Sequence, residues 1–237
     1  MPNAAKEVKR ISYESPQEMY RSTSGILLNS RTVVEKQEFV STGILTYAEG
    51  DILEIEISDY KAFDLGDSVK MTVYSPGGVY TFQSTVVAKD HGALMVINPP
   101  QNQKRFAEKR ENPRVEVEQS GQLLAIAYES GGEEELPATV PLDIRNVSVS
   151  GVGFILQSDL SLAKHMTAEV KLDLGFEMAC RLEIIRSEPG DAGTYYGARY
   201  VEMPFEKANT LRAFVLKKQV EQHFSSKQST KLKRVFK

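Results

Sequence analysis

The feature that most constrains the fold is a series of short segments in which apolar and polar residues alternate. In ILEIEIS, Leu53, Ile55 and Ile57 alternate with glutamates, and SVKMTVYS repeats the pattern. A period of two places successive side chains on opposite faces of a β-strand. The turn SPGGVY leads into VYTFQSTVVA, and ALMVINPP follows. We therefore expect a small antiparallel barrel or sandwich in the first half of the chain.

The second half resumes the alternation after a polar stretch that contains proline. We expect strands in RVEVEQ, GQLLAIAYE, TVPLDIRNVS, VGFILQ, AEVKLDL, MACRLEIIR and TYYGARYVEM, with an acidic loop at ESGGEEELPA. Short strands at this near-regular spacing predict a closed antiparallel barrel. The period then changes, because Ala208, Leu211, Phe214 and Val215 fall on one face of a predicted terminal helix.

The predicted fold class is mainly β, with two small antiparallel β-barrels in tandem, the second six-stranded and followed by a C-terminal α-helix. The predicted boundaries are an N-terminal extension at 1–24, a first barrel at 25–102, a basic hinge at 103–114, a second barrel with its helix at 115–225, and a basic tail at 226–237.

Composition excludes several functional classes. The net charge of −3 argues against a general nucleic-acid coat protein, and we expect no DNA partner. No run of about 18 apolar residues occurs, so we expect no transmembrane segment. The single cysteine, Cys180, precludes an internal disulfide and fits a reducing compartment. A cytoplasmic protein is the expectation.

Residues typical of catalysis or metal binding do not cluster in the sequence. The three histidines lie far apart, and Cys180 alternates with Met178 and Leu182 as a core thiol would. The sequence lacks a GxSxG elbow and a phosphate-binding P-loop, and GVGFIL lacks the third glycine of a dinucleotide-binding loop. We therefore expect no enzyme activity, no metal and no cofactor.

A basic segment precedes the second barrel. Residues 104–114 carry five basic and two acidic side chains, a local charge of +3. Because Pro113 disfavours helix at Asn112, Arg110 and Arg114 are expected in extended chain, whose four residues reach roughly 13 Å. Each guanidinium can fork onto a phosphate or onto guanine O6 and N7. This predicts an anion site, whereas the plainer alternative is a solvated linker.

A second motif, NVSVSGVG, brings small and amide side chains together about thirty residues later. Asn146 carries donors and acceptors that suit a guanine edge, and Ser148 adds a compact hydroxyl. Gly151 and Gly153 allow a flat ring or a phosphate to approach the backbone. The two motifs together favour a guanine nucleotide with phosphates, and the alternative is a serine-rich turn with glycines for curvature.

The order RxxxR and then [D/N]xSxxG resembles the PilZ domain. GARYVEM and the terminal helix resemble the closing strand and helix of that family, and the resemblance covers roughly residues 105–224. It implies a receptor for the bacterial second messenger cyclic di-GMP. The ligand-binding residues that it implies are Arg110, Arg114, Asn146, Ser148 and Gly151, with Lys109 and Gly153 as secondary positions.

Two residues, Asn146 and Lys109, bear on how the ligand binds, and the first barrel adds a further resemblance. Asn146 stands where Asp is commoner, and Lys109 leaves open whether one nucleotide or a stacked pair binds. A small β-barrel directly before RxxxR resembles the YcgR-type arrangement with its PilZN-like domain. That arrangement implies a change in interdomain arrangement on nucleotide binding, motility control through a flagellar stator or switch protein, and recruitment to the motor or inner membrane face.

Two other outputs remain open at this point. The first is cyclic di-GMP-dependent regulation of exopolysaccharide synthesis. The second, from a different class, is a single-stranded nucleic-acid binder, since small barrels often bind such ligands. Acidic residues on the predicted strands, such as Glu54 and Glu116, argue against the second alternative.

Overall fold

The computed structural model describes residues 26–99, 112–127, 133–158 and 160–235. The chain divides into two compact units that meet in sequence at residues 108 and 109. Each unit contains a closed antiparallel barrel of six strands, and one long helix follows the second barrel. The predicted fold class is confirmed.

The first barrel is formed by the first six strands. These are β1 (Arg31–Lys36), β2 (Phe39–Glu49), β3 (Ile52–Glu56), β4 (Ser68–Ser75), β5 (Gly78–Asp90) and β6 (Ala93–Ile97). They close in the order β1-β2-β3-β6-β5-β4. A single 3₁₀ turn, Tyr60–Ala62, lies between β3 and β4. Inward-facing side chains such as Val34, Leu45, Val69 and Val73 form its core.

Two features of this barrel differ from the sequence expectation. We did not predict β1 or β2, because RTVVEK and FVSTGILTYAE alternate only in part and β2 contains Gly43. Strand β3 is also not half-buried, since Glu54 is only 2% exposed. Thr46 Oγ1 donates a hydrogen bond of 2.7 Å to Glu54 Oε1, and such a donor lowers the cost of burying the carboxylate.

The second barrel is formed by the remaining six strands. These are β7 (Val115–Ala127), β8 (Glu133–Val147), β9 (Gly151–Leu156), β10 (Thr167–Asp173), β11 (Glu177–Gly190) and β12 (Gly193–Val201). They close in the order β10-β11-β12-β9-β8-β7. Helix α1 (Phe205–Val235) follows, and Leu211 and Val215 are fully buried against the barrel core.

Three boundaries in this half differ from the sequence pattern. RVEVEQ and GQLLAIA form one strand, β7, because a register shift between Glu116 and Gln119 bends the strand without ending it. Part of the predicted acidic loop, from Glu133, belongs to β8. Helix α1 continues past residue 225, where we predicted a tail, since no glycine or proline interrupts it before Val235.

Phe154 and Tyr196 lie at the centre of the second core. Their rings stack with centroids 5.6 Å apart, and both are almost fully buried. Cys180 packs against the same core, as its alternation predicted. Burial raises the pKa of the Cys180 thiol to about 12, so the thiolate is suppressed at neutral pH. In the described parts of the chain, no helix is both long and apolar enough to cross a membrane.

Candidate functional site

The turn between β8 and β9 contains the predicted NxSxxG motif. The Ser148 backbone N–H donates to the Gly151 carbonyl at 2.9 Å and closes the turn. Ser148 is only 2% exposed. Its hydroxyl accepts a hydrogen bond of 3.1 Å from the Gly151 N–H. The same hydroxyl lies 3.2 Å from the Gly151 carbonyl oxygen, to which it donates. The Ser148 hydroxyl therefore forms its hydrogen bonds within the turn and stabilises the conformation of the turn.

Gly151 is the first residue of β9 and pairs with Arg199 on β12. A Cβ at this position would overlap the carbonyl oxygen of Ala198 on β12. Because that oxygen belongs to the backbone, the overlap is not relieved by a side-chain rotation. Glycine is therefore required here for the close approach of the two strands.

A row of four residues crosses the outer face of the barrel. Asn146 on β8 pairs with Gly153 on β9, Gly153 pairs with Gly197 on β12, and Gly197 pairs with Arg186 on β11. The two central glycines have no side chain of their own; the Tyr195 hydroxyl covers Gly153, and the Arg186 side chain covers Gly197. We call these four residues the glycine row.

Tyr195 connects the two ends of the glycine row. Asn146 Nδ2 donates a hydrogen bond of 3.1 Å to the Tyr195 hydroxyl. The Arg186 guanidinium carbon lies 5.3 Å from the centroid of the Tyr195 ring, within cation–π range. Arg186 Nη1 also pairs with Glu188 Oε1 at 3.0 Å. Three side chains from three strands thus hold one another over the glycines.

A cavity of about 550 Å³ lies beside the glycine row. Among the described residues, its lining includes three arginines and no acid: Arg114 from the RxxxR motif, Arg186 and Arg199. Gly151 and Gly197 also line it. The cavity therefore combines positive charge with exposed backbone, which suits a flat anionic ligand.

Arg199 is held in place by a carboxylate. Arg199 Nη2 lies 2.6 Å from Glu183 Oε2, and His165 Nδ1 lies 2.9 Å from Glu183 Oε1. The hydrogen bond from His165, followed by that from Arg199, holds the pKa of the Glu183 carboxyl below its usual value. The carboxylate therefore stays ionised and keeps Arg199 at the edge of the cavity.

The structure brings together only some of the predicted ligand residues. Arg114 and Gly151 line the cavity, whereas Asn146 and Gly153 lie next to it in the glycine row. Ser148 lies below the surface of the turn. Lys109 and Arg110, like most of the predicted hinge, fall outside the described residues.

Sequence reasoning missed Arg186, Tyr195 and Arg199. They are contributed by β11 and β12, about forty to fifty residues after the NxSxxG motif, and only the strand register brings them to the site. The sequence contained one signal for Tyr195 and Arg199. In the predicted strand TYYGARY, Tyr195, Gly197 and Arg199 occupy every second position and therefore lie on the same face. Among the described residues, no group of histidine, cysteine or acidic side chains is arranged to hold a metal ion.

Comparison with solved structures finds several likenesses. MotI, an inhibitor of motility from Bacillus subtilis, is 16% identical over 83% of this chain and 99% of its own, with a TM-score of 0.40. YcgR from Escherichia coli in complex with c-di-GMP is 12% identical over 90% of this chain and 93% of its own, at 0.41. The K. pneumonia MrkH–c-di-GMP complex is 13% identical over 90% and 93%, at 0.34. TM-scores below 0.5 do not establish a shared structure over the whole length.

Comparison at the level of families is more specific. No curated protein matches the chain. Residues 108–217 match the family described as PilZ domain. This stretch contains the second barrel, the first turns of α1, both arginines of RxxxR and all of NxSxxG. The chain thus forms two tandem barrels, and the second of them matches the PilZ domain family.

Proposed function

We propose that this chain is a receptor for cyclic di-GMP, which binds on the outer face of the second barrel. The observation that carries the proposal is the PilZ match over residues 108–217, which includes both motifs in the family's order. The ligand combines two guanine bases with two phosphates in one ring. It therefore needs several cationic groups close to surfaces that accept flat rings.

The geometry beside the glycine row supports this ligand. Arg114, Arg186 and Arg199 all line one cavity. Each can form paired hydrogen bonds with a phosphate, or with O6 and N7 of a guanine. Gly151 and Gly197 line the same cavity, so a ligand meets no Cβ at these two positions.

Each predicted ligand residue takes a distinct role in the proposal. Arg110 and Arg114 clamp the phosphates and a guanine, and Lys109, which precedes Arg110 in the sequence, is a secondary ligand-binding position. Asn146 offers its amide to a guanine edge. Ser148 acts by shaping the turn, Gly151 allows the close approach of β12, and Gly153 leaves room for the Tyr195 hydroxyl beside Asn146.

Calorimetric titration of the full-length protein with cyclic di-GMP tests the proposal. Hydrogen bonds to charged groups contribute about 1.5–3 kcal/mol each. Arg114→Ala should therefore weaken binding by about 10- to 100-fold, and Arg110→Ala by a similar factor. The matched control is Arg181→Ala, which removes an exposed arginine that pairs with Glu169 on the same barrel. Unchanged affinity in Arg114→Ala and Arg110→Ala would contradict the proposed site.

We further propose that the output is control of flagellar motility through a motor protein. Support comes from the tandem arrangement of a small barrel before RxxxR, which resembles the YcgR type. In this mechanism the ligand orders the hinge at 103–114 and changes the arrangement of the barrels, which requires only a higher affinity for one of two states.

Affinity capture with and without cyclic di-GMP tests the output. The proposal predicts ligand-dependent recovery of a stator or switch protein, and loss of that recovery in Arg114→Ala. Ligand-dependent capture of an exopolysaccharide synthesis protein instead would contradict motor control and favour the alternative output.

A further inference from the structure

An acidic residue, Glu183, binds one of the three arginines that line the cavity beside the glycine row. We propose that Glu183 is a positioning residue, which holds Arg199 so that the Nη1–Nη2 edge of its guanidinium binds a phosphate of the ligand. This inference rests on the proposed cyclic di-GMP site. It gives that site an acidic residue whose own negative charge would repel the ligand.

The register of three strands sets the surroundings of Arg199. Glu183 on β11 pairs with Arg199 on β12, and Arg199 pairs in turn with Gly151 on β9. Residues of opposite charge at directly opposite positions of an antiparallel pair attract each other. Arg199 therefore meets a carboxylate at the opposite position on β11 and no side chain at the opposite position on β9.

Glu183 occupies one edge of the Arg199 guanidinium. Arg199 Nε donates a hydrogen bond of 2.8 Å to Glu183 Oε2, and Arg199 Nη2 lies 2.6 Å from the same oxygen. Nε and Nη2 form one edge of the planar group, and Nη1 and Nη2 form the next. Among the described residues, Nη1 has no hydrogen-bond partner. The Nη1–Nη2 edge is thus left for a ligand, and its two N–H groups match two oxygens of a phosphate.

Glu183 is itself held at its second oxygen. His165 Nδ1 lies 2.9 Å from Glu183 Oε1, and the His165 backbone N–H donates to the Ile184 carbonyl at 2.8 Å, which keeps His165 beside β11. The Glu183 side chain is 16% exposed, whereas that of Arg199 is 63% exposed. A carboxylate that is bound at both oxygens and largely buried is a fixed anchor for a long side chain with many rotamers.

The carboxylate has two effects of opposite sign on an anionic ligand. Its charge repels the phosphates, so removal of the charge alone should strengthen binding. Its hold on Arg199 leaves fewer rotamers for the ligand to restrict, so removal of the side chain should weaken binding. Among the described residues, Arg199 lines the cavity and Glu183 does not. The ligand therefore meets the arginine at closer range, and solvent screens the more distant carboxylate. We expect positioning to dominate.

A second ion pair on the same barrel separates these two effects. Glu169 on β10 pairs with Arg181 on β11, and Arg181 Nη2 lies 2.8 Å from Glu169 Oε1. Neither of these two described residues lines the cavity beside the glycine row. Glu169→Ala therefore removes the same charge and the same kind of cross-strand contact as Glu183→Ala, but it releases no arginine of the cavity.

Calorimetric titration of the full-length protein with cyclic di-GMP measures the affinity of each variant. We expect Glu183→Ala to weaken binding by roughly 3- to 10-fold, the cost of ordering one long side chain on binding. Glu169→Ala should keep the wild-type affinity or bind slightly more tightly. Glu183→Gln keeps the shape of the side chain and one oxygen acceptor, so its affinity should lie between those of wild type and Glu183→Ala. The glutamine variant also tests the prediction if the alanine variant does not fold.

Removal of Arg199 shows whether Glu183 acts through it. Arg199→Ala should weaken binding by about 10- to 100-fold, and in this background Glu183→Ala should cause no further loss. A loss by the same factor in both backgrounds would reveal a structural effect of Glu183 on the barrel and would overturn positioning. The inference is also wrong if Glu183→Ala and Glu183→Gln bind at least as tightly as wild type, or if Arg199→Ala keeps the wild-type affinity.

Failure of the proposed function gives a different result. Folded wild-type protein would then not bind cyclic di-GMP, or Arg114→Ala would bind it with unchanged affinity. Loss of binding in Arg114→Ala together with wild-type affinity in Arg199→Ala and Glu183→Ala would leave the proposed site standing and would contradict the role of Glu183 alone.

Discussion

The two barrels have the same topology but different surfaces. Starting from the first strand of each, the rings run β1-β2-β3-β6-β5-β4 and β7-β8-β9-β12-β11-β10. The third and sixth strands are therefore neighbours in both. In the second barrel these strands are GVGFIL and GTYYGARYV, whereas in the first they are ILEIE and ALMVI, which contain no glycine.

This difference shows that the topology does not create the site. Two adjacent strands of the second barrel contain glycines, and the register pairs Arg186 with Gly197 and Arg199 with Gly151. The corresponding strands of the first barrel carry side chains at every position, and residues such as Leu53 and Leu94 are fully buried. Among the described residues, this combination of glycines in adjacent strands with arginines paired to them belongs to the second barrel.

The largest expected effects come from truncating one core at a time. Phe63 in the first barrel and Phe154 in the second are both fully buried and each contacts one aromatic partner, Phe39 or Tyr196. Replacing a buried phenylalanine with alanine costs about 3–5 kcal/mol. Differential scanning calorimetry should show Phe63→Ala and Phe154→Ala each lowering the melting temperature of its own barrel.

Nucleotide titration then separates the two barrels. We expect Phe154→Ala to abolish cyclic di-GMP binding at a temperature where that barrel has melted, whereas Phe63→Ala should retain it. Loss of binding in Phe63→Ala with the second barrel still folded would contradict a site confined to the second barrel.

A smaller effect is expected from two glycines in equivalent surroundings. A Cβ on Gly43 would overlap the Glu56 carbonyl oxygen in the first barrel, just as a Cβ on Gly151 would overlap that of Ala198 in the second. Overpacking of this kind costs about 1–3 kcal/mol. Chemical denaturation should show similar destabilisation in Gly43→Ala and Gly151→Ala.

The glycine pair differs in its effect on the ligand. Gly151→Ala should also weaken cyclic di-GMP binding, because the change separates strands that line the cavity. Gly43→Ala should leave the affinity at the wild-type value. Equal affinities in the two variants would place the ligand away from the β9–β12 surface.

The smallest effect concerns acid stability. The Asp64 backbone N–H and then Lys36 lower the pKa of Asp67 in the first barrel, while His165 and then Arg199 lower that of Glu183 in the second. A carboxyl whose pKa is lower in the folded state stabilises the protein above its unfolded pKa, and this contribution is lost as pH falls through the folded pKa.

Melting temperatures measured as the pH is lowered through the ordinary values of 3.8 for Asp67 and 4.5 for Glu183 test this effect. Asp67→Asn should flatten the acid dependence of the first barrel only, and Glu183→Gln that of the second only. A change in the acid dependence of the opposite barrel would show that the two are not independent in this respect.

The sequence predicted the architecture better than the site. Alternation and turn residues were sufficient to predict two barrels and a terminal helix, because inward-facing residues must recur with a period of two. The length of α1 was underestimated, since eight of its last ten residues are polar and only Leu232 and Val235 are apolar. Strand β8 was assigned in part to a loop because its first residues are acidic.

The site was predicted only where its residues are close in sequence. NxSxxG is one turn, and its small side chains reveal it directly. Arg186 and Tyr195 belong to a different hairpin, and their place beside Asn146 depends on the registers of three strand pairs. Periodicity gives the face of a strand, but it does not give the register between strands.

The most direct test of the central claim, that cyclic di-GMP binds across β8, β9, β11 and β12 of the second barrel, is amide hydrogen exchange at saturating ligand. We predict that ligand slows exchange in the turn at 148–151 and in the strand segment 195–199, while exchange in the strands of the first barrel is unchanged. Protection confined to the first barrel, or no protection at 148–151 and 195–199 in protein shown to be saturated, would contradict the claim.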